Sequence, residues 1–546
     1  MKRVGTPLIP AVLVCQVGLM LLLGYLRRHQ LNPDAVSYIR IASYYAAGKT
    51  GLAVSGYWGP MLSWLMAPMI ALFHDPLFAA RVAMGGSGLV FTAGSLAVFR
   101  NLQLPPVGMV IGSCLVGLLA ANESALEIAP DLLMAGLTCF GISFLLLPQW
   151  TQKGGTPLVA GLLLGAAYLA KAVALPIAVL VVAGIAALRW AIGEDTPRAL
   201  LRASVYTLVV AGLVSAPWIA LLSLKYGRPT ISTTAKIAHA IVGPREGPQG
   251  SASDSLHPTF RSFLRPEPGR LTTWEDPTGL SYPYWSPFQS AGHLKHQAKL
   301  VVRNLSNVIG VFTQAFDGFS LAPLALALAF LVHTPWRQNM RADRWRWAAV
   351  PVVCVVMIYL PVFVESDRYY FVIYPFVLAA VCGVVYTAAP HGRLWSEPGR
   401  CAGIALILVS FGAPLLFSLS MNLRGMKSDA ELVALAEALR GTDTGTALAG
   451  DDTMAMYVGL LLDRPFLGCN PHATPEEFAA SGADVFIVGR TSTAAAGLAG
   501  SNDFTEFGPS ARSGQPSTTY QLFRRREQVT GADKPRTRKP EYAPSR

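Results

Sequence analysis

Charged residues are scarce in this chain. Asp, Glu, Lys and Arg supply 14% of its 546 residues, whereas soluble globular domains contain about 25%. Hydrophobic residues supply 52%, and the mean hydropathy is +0.41. Several apolar runs reach the roughly 20 residues that a helix needs to cross a hydrocarbon core. This composition excludes an ordinary soluble protein and predicts a polytopic membrane protein.

Cysteine is also scarce, and it forms no motif. Six of the seven cysteines lie inside apolar runs, and Cys469 stands alone. Their spacing is typical of neither a metal site nor a disulfide framework. His293 and His296 are three residues apart and would suit a metal, but no nearby acid or cysteine completes the roughly four ligands of structural zinc. We predict no metal site, and the sequence leaves a dependence on a divalent metal open.

Positive charge outweighs negative charge, with a formal net charge of +12. Much of the excess lies in short loops between apolar runs and in the C-terminal tail. The positive-inside bias and anionic lipid headgroups explain this distribution better than nucleic acid does. We therefore expect the lipid bilayer, and no nucleic acid, as a partner.

The basic loops also predict an orientation. If Lys2 and Arg3 are cytoplasmic, alternation of the spans places the basic loops at 189–202, 337–346 and 393–400 on the same side. Arg27 and Arg28 do not follow this bias, because they fall on the predicted outer side. We predict a multi-pass protein with a cytoplasmic N-terminus, assigned to a bacterial inner (plasma) membrane, with an endomembrane of a eukaryote left open.

The apolar runs predict about eleven spans. The long run from Leu158 to Trp190 exceeds one span and is interrupted by Lys171 and Pro176, so it predicts two helices that meet near Lys171. The runs are Thr6–Leu26, Ala79–Phe99, Val107–Ala121, Ile128–Leu147, Leu158–Trp190, Ala203–Leu224, Phe319–Val332, Ala348–Val364, Phe371–Tyr386 and Cys401–Met421.

The sequence changes character near Lys427. From there it resembles a soluble protein, and patterns typical of helices alternate with patterns typical of strands. Asp429–Leu439 and Thr453–Leu462 are predicted helices, and Thr446–Ala449 and Ala483–Val488 are predicted strands. We predict an all-α polytopic membrane domain with juxtamembrane helices, plus a small C-terminal α/β domain on the outer face. The predicted units are a membrane domain at 1–423 with outer loops at 27–78 and 225–316, an α/β domain at 424–525, and a disordered basic tail at 526–546.

Asp34 lies where the first apolar helix leaves the bilayer. The amphipathic segment Tyr38–Tyr45 and the short apolar segment Met61–Phe73 follow it, and both resemble helices at a membrane surface. An acid in this position suggests a site at the interface. The alternative is that Asp34 caps a helix, because Asp before a helical run accepts backbone N–H bonds and suits the helix dipole.

Other ionisable residues lie beside predicted spans, where charge is costly and often functional. The acids Glu123, Glu127 and Asp131 occupy a turn between two spans, and Glu127 and Asp131 share one helical face. Lys171 lies at the break in the long run, and Arg368 and Tyr369 precede a late span. Carboxylates can act as the base that removes a proton from an acceptor hydroxyl or amine, and cations can bind a phosphate.

Each of these residues has a structural alternative. Lys171 would extend along the apolar surface to the interface, and Arg368 would be an anchor beside an aromatic belt. Asp131 would cap its helix behind Pro130, and Glu123 would be solvated in a turn. The sequence alone does not decide between these alternatives and a site.

Two further groups are candidates for binding. Arg27 and Arg28 form a basic pair beside Asp34 on the predicted outer side, where they would hold a phosphate. In the large loop, Tyr282, Tyr284 and Trp285 belong to a run of aromatic residues and prolines. We predict that this run stacks on a sugar or covers the site.

The order of these features resembles the GT-C family of membrane glycosyltransferases, which includes protein O-mannosyltransferases and the aminoarabinose transferases of lipid A. The resemblance rests on Asp34 in the first outer loop, an acid at the turn from the third to the fourth span, the Gly-rich segment ending at Lys171, and Arg368-Tyr369 followed by Pro375. It covers the chain as far as about Met421. These motifs are short, so order and topology carry the resemblance.

The resemblance implies inverting transfer of a sugar from a polyprenyl-phosphate or dolichyl-phosphate carrier to a glycan, lipid or protein acceptor on the outer face. Asp34 would be the general base, and Lys171, Arg368 and Tyr369 would lie near the carrier phosphate. Asp131 would supply the second acid, with Glu127 as its rival. Protein O-mannosyltransferases usually carry an Asp-Glu pair where this chain has Asp34 alone, so no fixed sugar or acceptor follows.

Two other functions compete with transfer. A transporter or flippase of a lipid-linked sugar also needs charges inside the membrane, but transporters often show internal repeats, which we do not find. A scaffold that recruits partners through its outer domain is the other alternative. Charged residues beside so many spans argue against it.

Overall fold

The computed structural model describes residues 8–244, 263–330, 336–362, 366–387, 397–441, 446–507 and 519–526. Helices dominate these ranges, and all five strands lie near the C-terminal end. The predicted tail at 526–546 falls outside the described residues except for its first residue.

The helices before residue 245 are mostly apolar. They are α1 (Leu8–Leu26), α2 (Pro33–Ala46), α3 (Thr50–Ala53), α4 (Met61–Phe73), α5 (Pro76–Asn101), α6 (Pro106–Leu126), α7 (Asp131–Leu145), α8 (Gln149–Gln152), α9 (Gly155–Ala170), α10 (Ala174–Ala191), α11 (Pro197–Tyr226) and α12 (Thr234–Ile241).

The helices that follow lead to the mixed C-terminal region. They are α13 (Ala291–Ala315), α14 (Leu321–Phe330), α15 (Trp336–Ala342), α16 (Ala349–Tyr359), α17 (Tyr374–Thr387), α18 (Glu397–Arg424) and α19 (Met426–Leu439). The C-terminal elements are β1 (Leu448–Gly450), α20 (Met454–Leu462), β2 (Phe466–Cys469), α21 (Pro475–Ala480), β3 (Val485–Gly489), α22 (Thr493–Gly500), β4 (Phe504–Phe507) and β5 (Tyr520–Arg525).

Six helical stretches among the described residues are long and apolar enough to cross a membrane, and shorter apolar helices accompany them. The six are Leu8–Leu26, Pro76–Asn101, Pro106–Leu126, Ala174–Ala191, Pro197–Tyr226 and Gly399–Leu439. The chain is therefore an integral membrane protein, and the count of eleven spans stays a prediction. Two of the predicted runs, Phe319–Val332 and Ala348–Val364, end outside the described residues.

The predicted break at Lys171 is confirmed. Helix α9 ends at Ala170 and α10 begins at Ala174. Pro176 lies in the first turn of α10, where a missing N–H removes no helical hydrogen bond. The chain turns at the break because Lys171 has an extended backbone, with φ −152° and ψ 126°.

Small residues allow the apolar helices to pack closely. A Cβ atom on Gly94 of α5 would lie 2.4 Å from the carbonyl oxygen of Gly136 on α7. A Cβ atom on Gly161 of α9 would lie 2.5 Å from the carbonyl oxygen of Thr207 on α11. Helices without a hydrophobic driving force between them associate through such close backbone contacts.

The large loop predicted at 225–316 is more ordered than its composition indicates. It contains α12, two short 3₁₀ helices at Thr273–Glu275 and Pro277–Gly279, and the 25-residue helix α13. Abundant Pro, Gly and His concealed these elements, because local composition cannot show that a segment gains its order by packing on the rest of the protein.

The C-terminal α/β pattern is confirmed. The five strands form one sheet in the order β2-β1-β3-β5-β4. Strand β1 pairs in parallel with β2 and β3, whereas β5 pairs antiparallel with β3 and β4. The parallel strands β1 and β2, of which β2 lies at the edge of the sheet, are buried throughout, as expected for parallel strands covered on both faces.

The sheet is joined to the rest of the protein. Helix α20 packs on α2, and Arg40 of α2 forms a 2.7 Å ion pair with Asp463 at the end of α20. The backbone N–H of Phe466 in β2 donates to the carbonyl oxygen of Leu271 at 2.8 Å. A backbone from the large loop thus contacts the edge of the sheet.

Candidate active site

Asp34 lies in the first turn of α2 but does not cap it. The N-cap residue is Asn32, and no side chain accepts a capping hydrogen bond there. Asn32 instead accepts the backbone N–H of Ile128 at 3.0 Å. The Asp34 carboxylate lies 2.8 Å from Nη2 of Arg368. The capping interpretation of Asp34 is therefore wrong.

Arg368 connects two carboxylates. It lies on a 3₁₀ helix, Asp367–Tyr370, shortly before α17. Its Nη2 atom pairs with Asp34, and its Nη1 atom donates to Oε2 of Glu127 at 2.6 Å. Its backbone N–H donates to Oδ1 of Asp367 at 2.8 Å. The planar guanidinium suits this arrangement, because its donors point toward several acceptors at fixed angles.

Lys171 forms the third ion pair of the site. Its Nζ atom lies 2.6 Å from Oδ1 of Asp131, which begins α7. Pro130 is the N-cap residue and no side-chain capping bond forms, so the capping interpretation of Asp131 is also wrong. Lys171 also lies 4.5 Å from the ring centroid of Tyr369. That ring stacks on Tyr359, with centroids 5.3 Å apart.

Some members of these ion pairs line one small cavity. Its walls include Glu123, Glu127, Asp131 and Arg368, with Met84 and Phe371 among the apolar residues. Glu123 is only 8% exposed, so it is not the solvated turn residue that the sequence allowed. The site thus combines residues from α2, the connection of α6 and α7, the break after α9 and the segment before α17.

Carboxylates outnumber cations in this region. Five acids, Asp34, Glu123, Glu127, Asp131 and Asp367, surround Arg368 and Lys171. Each cation already binds at least one carboxylate. A site of this kind provides bases beside cations that attract an anionic group.

A group of aromatic residues packs against the helix that carries Asp34. Tyr38, one turn after Asp34, packs edge-on against Trp58 at 5.1 Å. Trp58 also packs on Tyr57 and Trp274, each with centroids 4.8 Å away. Sequence reasoning missed Tyr57 and Trp274 as neighbours of the site. The Gly56-Tyr57-Trp58-Gly59-Pro60 run was the available signal, because it places two adjacent aromatic residues just before α4.

A buried acid fixes α2 to the large loop. Glu275 is fully buried, and it accepts the hydroxyl of Tyr44 at 2.7 Å and the backbone N–H of Leu271 at 2.7 Å. Arg40 and Arg270 lie 3.8 and 3.6 Å from its oxygens. Burial raises the pKa of Glu275, and the Tyr44 hydrogen bond and Arg40 oppose that shift. This contact positions the helix that carries Asp34.

The three loop residues predicted to contact substrate lie beside the site rather than within its ion pairs. Tyr282 is buried and donates to the carbonyl oxygen of Pro277 at 3.1 Å. It belongs to a cluster against which Tyr57 packs. Tyr284 lies under Lys236, with Nζ 4.2 Å from its ring centroid.

Trp285 packs among three histidines. It stacks on His239 at 4.3 Å, and its edge faces His293 at 5.7 Å and His296 at 5.3 Å. Nε2 of His296 lies 2.9 Å from the carbonyl oxygen of Val242. Among the described residues, no group of three His, Cys, Asp or Glu side chains is placed to hold a metal ion.

Arg27 and Arg28 lie in different environments, the first buried and the second exposed. Arg27 is 3% exposed, lies 3.3 Å from Asp429 and donates to the carbonyl oxygen of Asn422 at 2.6 Å. Arg28 is exposed and lies 5.0 Å from the ring centroid of Tyr25. The structure does not bring either one into the ion pairs around Arg368.

No protein-family model matches the sequence, and no curated protein does. Solved structures do match the fold. The structure of ArnT from Cupriavidus metallidurans bound to undecaprenyl phosphate is 16% identical, with a TM-score of 0.52. The match covers 95% of this chain and 99% of that one.

Archaeal structures match as well. The apo oligosaccharyltransferase of Archaeoglobus fulgidus is 10% identical with a TM-score of 0.54, and the match covers 88% of this chain and 69% of that one. The oligosaccharyltransferase AglB from the same organism, in complex with an inhibitory peptide and a dolichol-phosphate, is 11% identical with a TM-score of 0.51 and the same coverage. The chain therefore has the fold of the GT-C membrane glycosyltransferases.

Proposed function

We propose that this chain is a membrane glycosyltransferase that transfers a sugar from a polyprenyl-phosphate donor to an acceptor on the outer, periplasmic side of a bacterial inner membrane. The observation that carries the proposal is the Arg368 side chain bound to both Asp34 and Glu127. Asp34 is a candidate base and Arg368 is a candidate phosphate ligand, and the two side chains are in direct contact. The shared fold supports the lipid donor, because the matching ArnT structure holds undecaprenyl phosphate.

Asp34 is the proposed general base. An acceptor hydroxyl or amine loses its proton to the Asp34 carboxylate as its oxygen or nitrogen attacks C1 of the sugar. The bond between C1 and the phosphate oxygen breaks at the same time, and the polyprenyl phosphate leaves with that electron pair. Positioned proton transfer of this kind contributes about 10²- to 10⁴-fold in rate.

Arg368 and Lys171 are the proposed ligands of the leaving phosphate. Both bind carboxylates in this structure, at 2.8 Å for Asp34 and 2.6 Å for Asp131. A phosphate that binds these cations competes with the two acids. Displacement of Asp34 from Arg368 would leave its oxygens available to the acceptor, so donor binding and activation of the base are coupled.

Asp131 and Glu127 have supporting roles in this proposal. Asp131 orients Lys171, and Glu127 orients Arg368, through the ion pairs described above. Tyr369, between the cation of Lys171 and the ring of Tyr359, holds that part of the site in place. Preorganised charges act most strongly where water is excluded.

Mass spectrometry of surface lipids and glycans tests the proposal. Cells would carry the wild type, a deletion, Asp34→Asn, or the control Asp503→Asn, which changes an exposed acid of the C-terminal sheet region. We expect one sugar modification to disappear in the deletion and in Asp34→Asn at normal protein abundance, and to persist in the control. Loss in the deletion alone would remove Asp34 as the base and favour a transporter of a lipid-linked sugar.

A further inference from the structure

Helix α13 presents two kinds of exposed surface. Its buried side includes Leu300, Asn304 and Phe312. Around the rest of the helix, a stripe of apolar side chains runs beside a row of cations. The apolar residues Leu294, Val302, Leu305 and Ile309 are 55%, 70%, 52% and 51% exposed.

The cations form a regular row. Lys295, Lys299 and Arg303 are four residues apart, so they lie above one another on successive turns, and all three are exposed. Within the described ranges none of them makes an ion pair with a carboxylate. Eight residues of helix place the ends of the row about 12 Å apart.

Helix α13 also contacts the segment that carries Arg368 and the aromatic run of the large loop. Gln297 and Asn304 donate to the carbonyl oxygens of Pro361 and Leu360 at 2.8 and 2.7 Å. The ring of Phe312 lies 6.0 Å from that of Tyr370, two residues after Arg368. The histidines of α13 surround Trp285 of the large loop.

We propose that the exposed face of α13 is a lipid-binding surface, where Lys295, Lys299 and Arg303 bind the phosphates of anionic phospholipids and the adjacent apolar stripe contacts their acyl chains. A cationic row beside an apolar stripe is the arrangement by which helices lie in the headgroup region. Anionic headgroups are attracted to such rows because each added cation strengthens the binding.

The row fits a lipid surface better than a single donor phosphate. Its cations are separated by a full helical turn each, and they alternate with exposed apolar side chains along the helix. Several neighbouring headgroups match this spacing. A single buried phosphate would instead need converging donors, such as those of Arg368 and Lys171. The inference does not depend on the proposed transferase activity.

Native mass spectrometry of the full chain tests this surface. The delipidated protein in detergent would be incubated with an equimolar mixture of phosphatidylglycerol and phosphatidylcholine, and the retained lipids counted. We expect the wild type to retain phosphatidylglycerol over phosphatidylcholine by about threefold or more. In Lys295→Gln/Lys299→Gln/Arg303→Gln the preference should fall to near parity.

Two control variants make the result specific. Lys295→Arg/Lys299→Arg/Arg303→Lys keeps the charges and should keep the preference. Lys49→Gln/Arg228→Gln/Arg265→Gln removes three exposed cations from three separate segments and should also keep it. An unchanged preference in the α13 glutamine variant would overturn the proposal.

Competing occupants give different outcomes. If one equivalent of added undecaprenyl phosphate displaced the retained phosphatidylglycerol, the row would be a donor site and the lipid-surface proposal would be overturned. If the wild type were a dimer and the glutamine variant dissociated into monomers, the surface would be a contact between copies of this chain. That outcome would likewise overturn the proposal.

Discussion

Arg368 binds carboxylates that come from distant parts of the sequence. Asp34 precedes it by more than 300 positions and Glu127 by more than 200. Sequence reasoning identified each residue separately, because charge beside an apolar span is unusual. It did not predict that one guanidinium holds both acids, since an ion pair between distant segments leaves no periodic pattern.

Replacement of Arg368 by Lys tests this double contact. An ammonium group keeps the charge but cannot reach two acids with the fixed geometry of a guanidinium. We expect transfer by Arg368→Lys to fall about 10²- to 10³-fold, as when a preorganised donor is lost from an active site. The measurement is product formation by the purified variant, compared with that of the control Arg228→Lys, which changes an exposed arginine. Equal activity in both variants would show that charge alone suffices.

Glu275 makes stability depend on pH. Burial raises its pKa above the usual 4.5, so the folded protein binds a proton there more readily than the unfolded chain does. Its contribution to the free energy of unfolding is therefore greatest below pH 4.5 and declines as the pH rises from 4.5 through the raised pKa of the folded protein.

The variant Glu275→Gln removes this titration. We expect the difference in unfolding free energy, wild type minus Glu275→Gln, to decrease as the pH rises through that window. Thermal unfolding in detergent at several pH values measures it. A difference that stayed constant or increased with pH would contradict the direction of the pKa shift.

At the scale of elements, the apolar runs predicted helices well because hydropathy is a local property. The break between α9 and α10 was predicted from Lys171 and Pro176 and is confirmed. Within the large loop, the sequence indicated only a possible helix around His293 and His296, and the 25-residue length of α13 was not predicted. The aromatic residues Tyr57 and Trp274 were missed because their contacts join segments far apart in the chain.

Gly59 fixes the position of the break. A Cβ atom there would lie 2.2 Å from the carbonyl oxygen of Ala170, the residue before Lys171. We expect Gly59→Ala to displace the end of α9, to weaken the pair between Lys171 and Asp131, and to lower stability by about 1–3 kcal/mol.

Gly51→Ala is the matched control for Gly59→Ala. A Cβ atom on Gly51 meets nothing within 4 Å, and Ala in the short helix α3 costs less backbone entropy than Gly. We therefore expect Gly59→Ala to have a lower melting temperature and lower transfer activity than the wild type. Gly51→Ala should equal or exceed the wild type in both. Similar losses in both would show that the contact with Ala170 is not the cause.

At the scale of the whole molecule, a buried ion pair joins the C-terminal region to the first membrane helix. Arg27, just after α1, pairs with Asp429 of α19, and both side chains are less than 10% exposed. A Cβ atom on Gly425 would lie 2.1 Å from Arg27, so the arginine passes directly over that glycine. The sequence placed both ends on the same side but did not predict this contact.

Removal of one partner should loosen this connection. Asp429→Ala leaves a buried guanidinium without its acid, which costs about 3–5 kcal/mol. The double variant Arg27→Leu/Asp429→Leu should recover part of that loss, because two apolar side chains replace the pair. Thermal unfolding of the full chain compares them. A double variant as unstable as Asp429→Ala would show that packing, rather than unpaired charge, dominates.

The hydrogen bond from Phe466 to Leu271 has a consequence for biogenesis. The ribosome releases the segment around Leu271 long before β2, and the intervening membrane helices are inserted between them. Domains tend to fold in the order of their synthesis, yet this loop segment acquires its partner only after the helices from α13 to α20 have been synthesised. The segment around Leu271 therefore lacks this hydrogen bond until β2 has been synthesised, so its final contacts form after those helices are made.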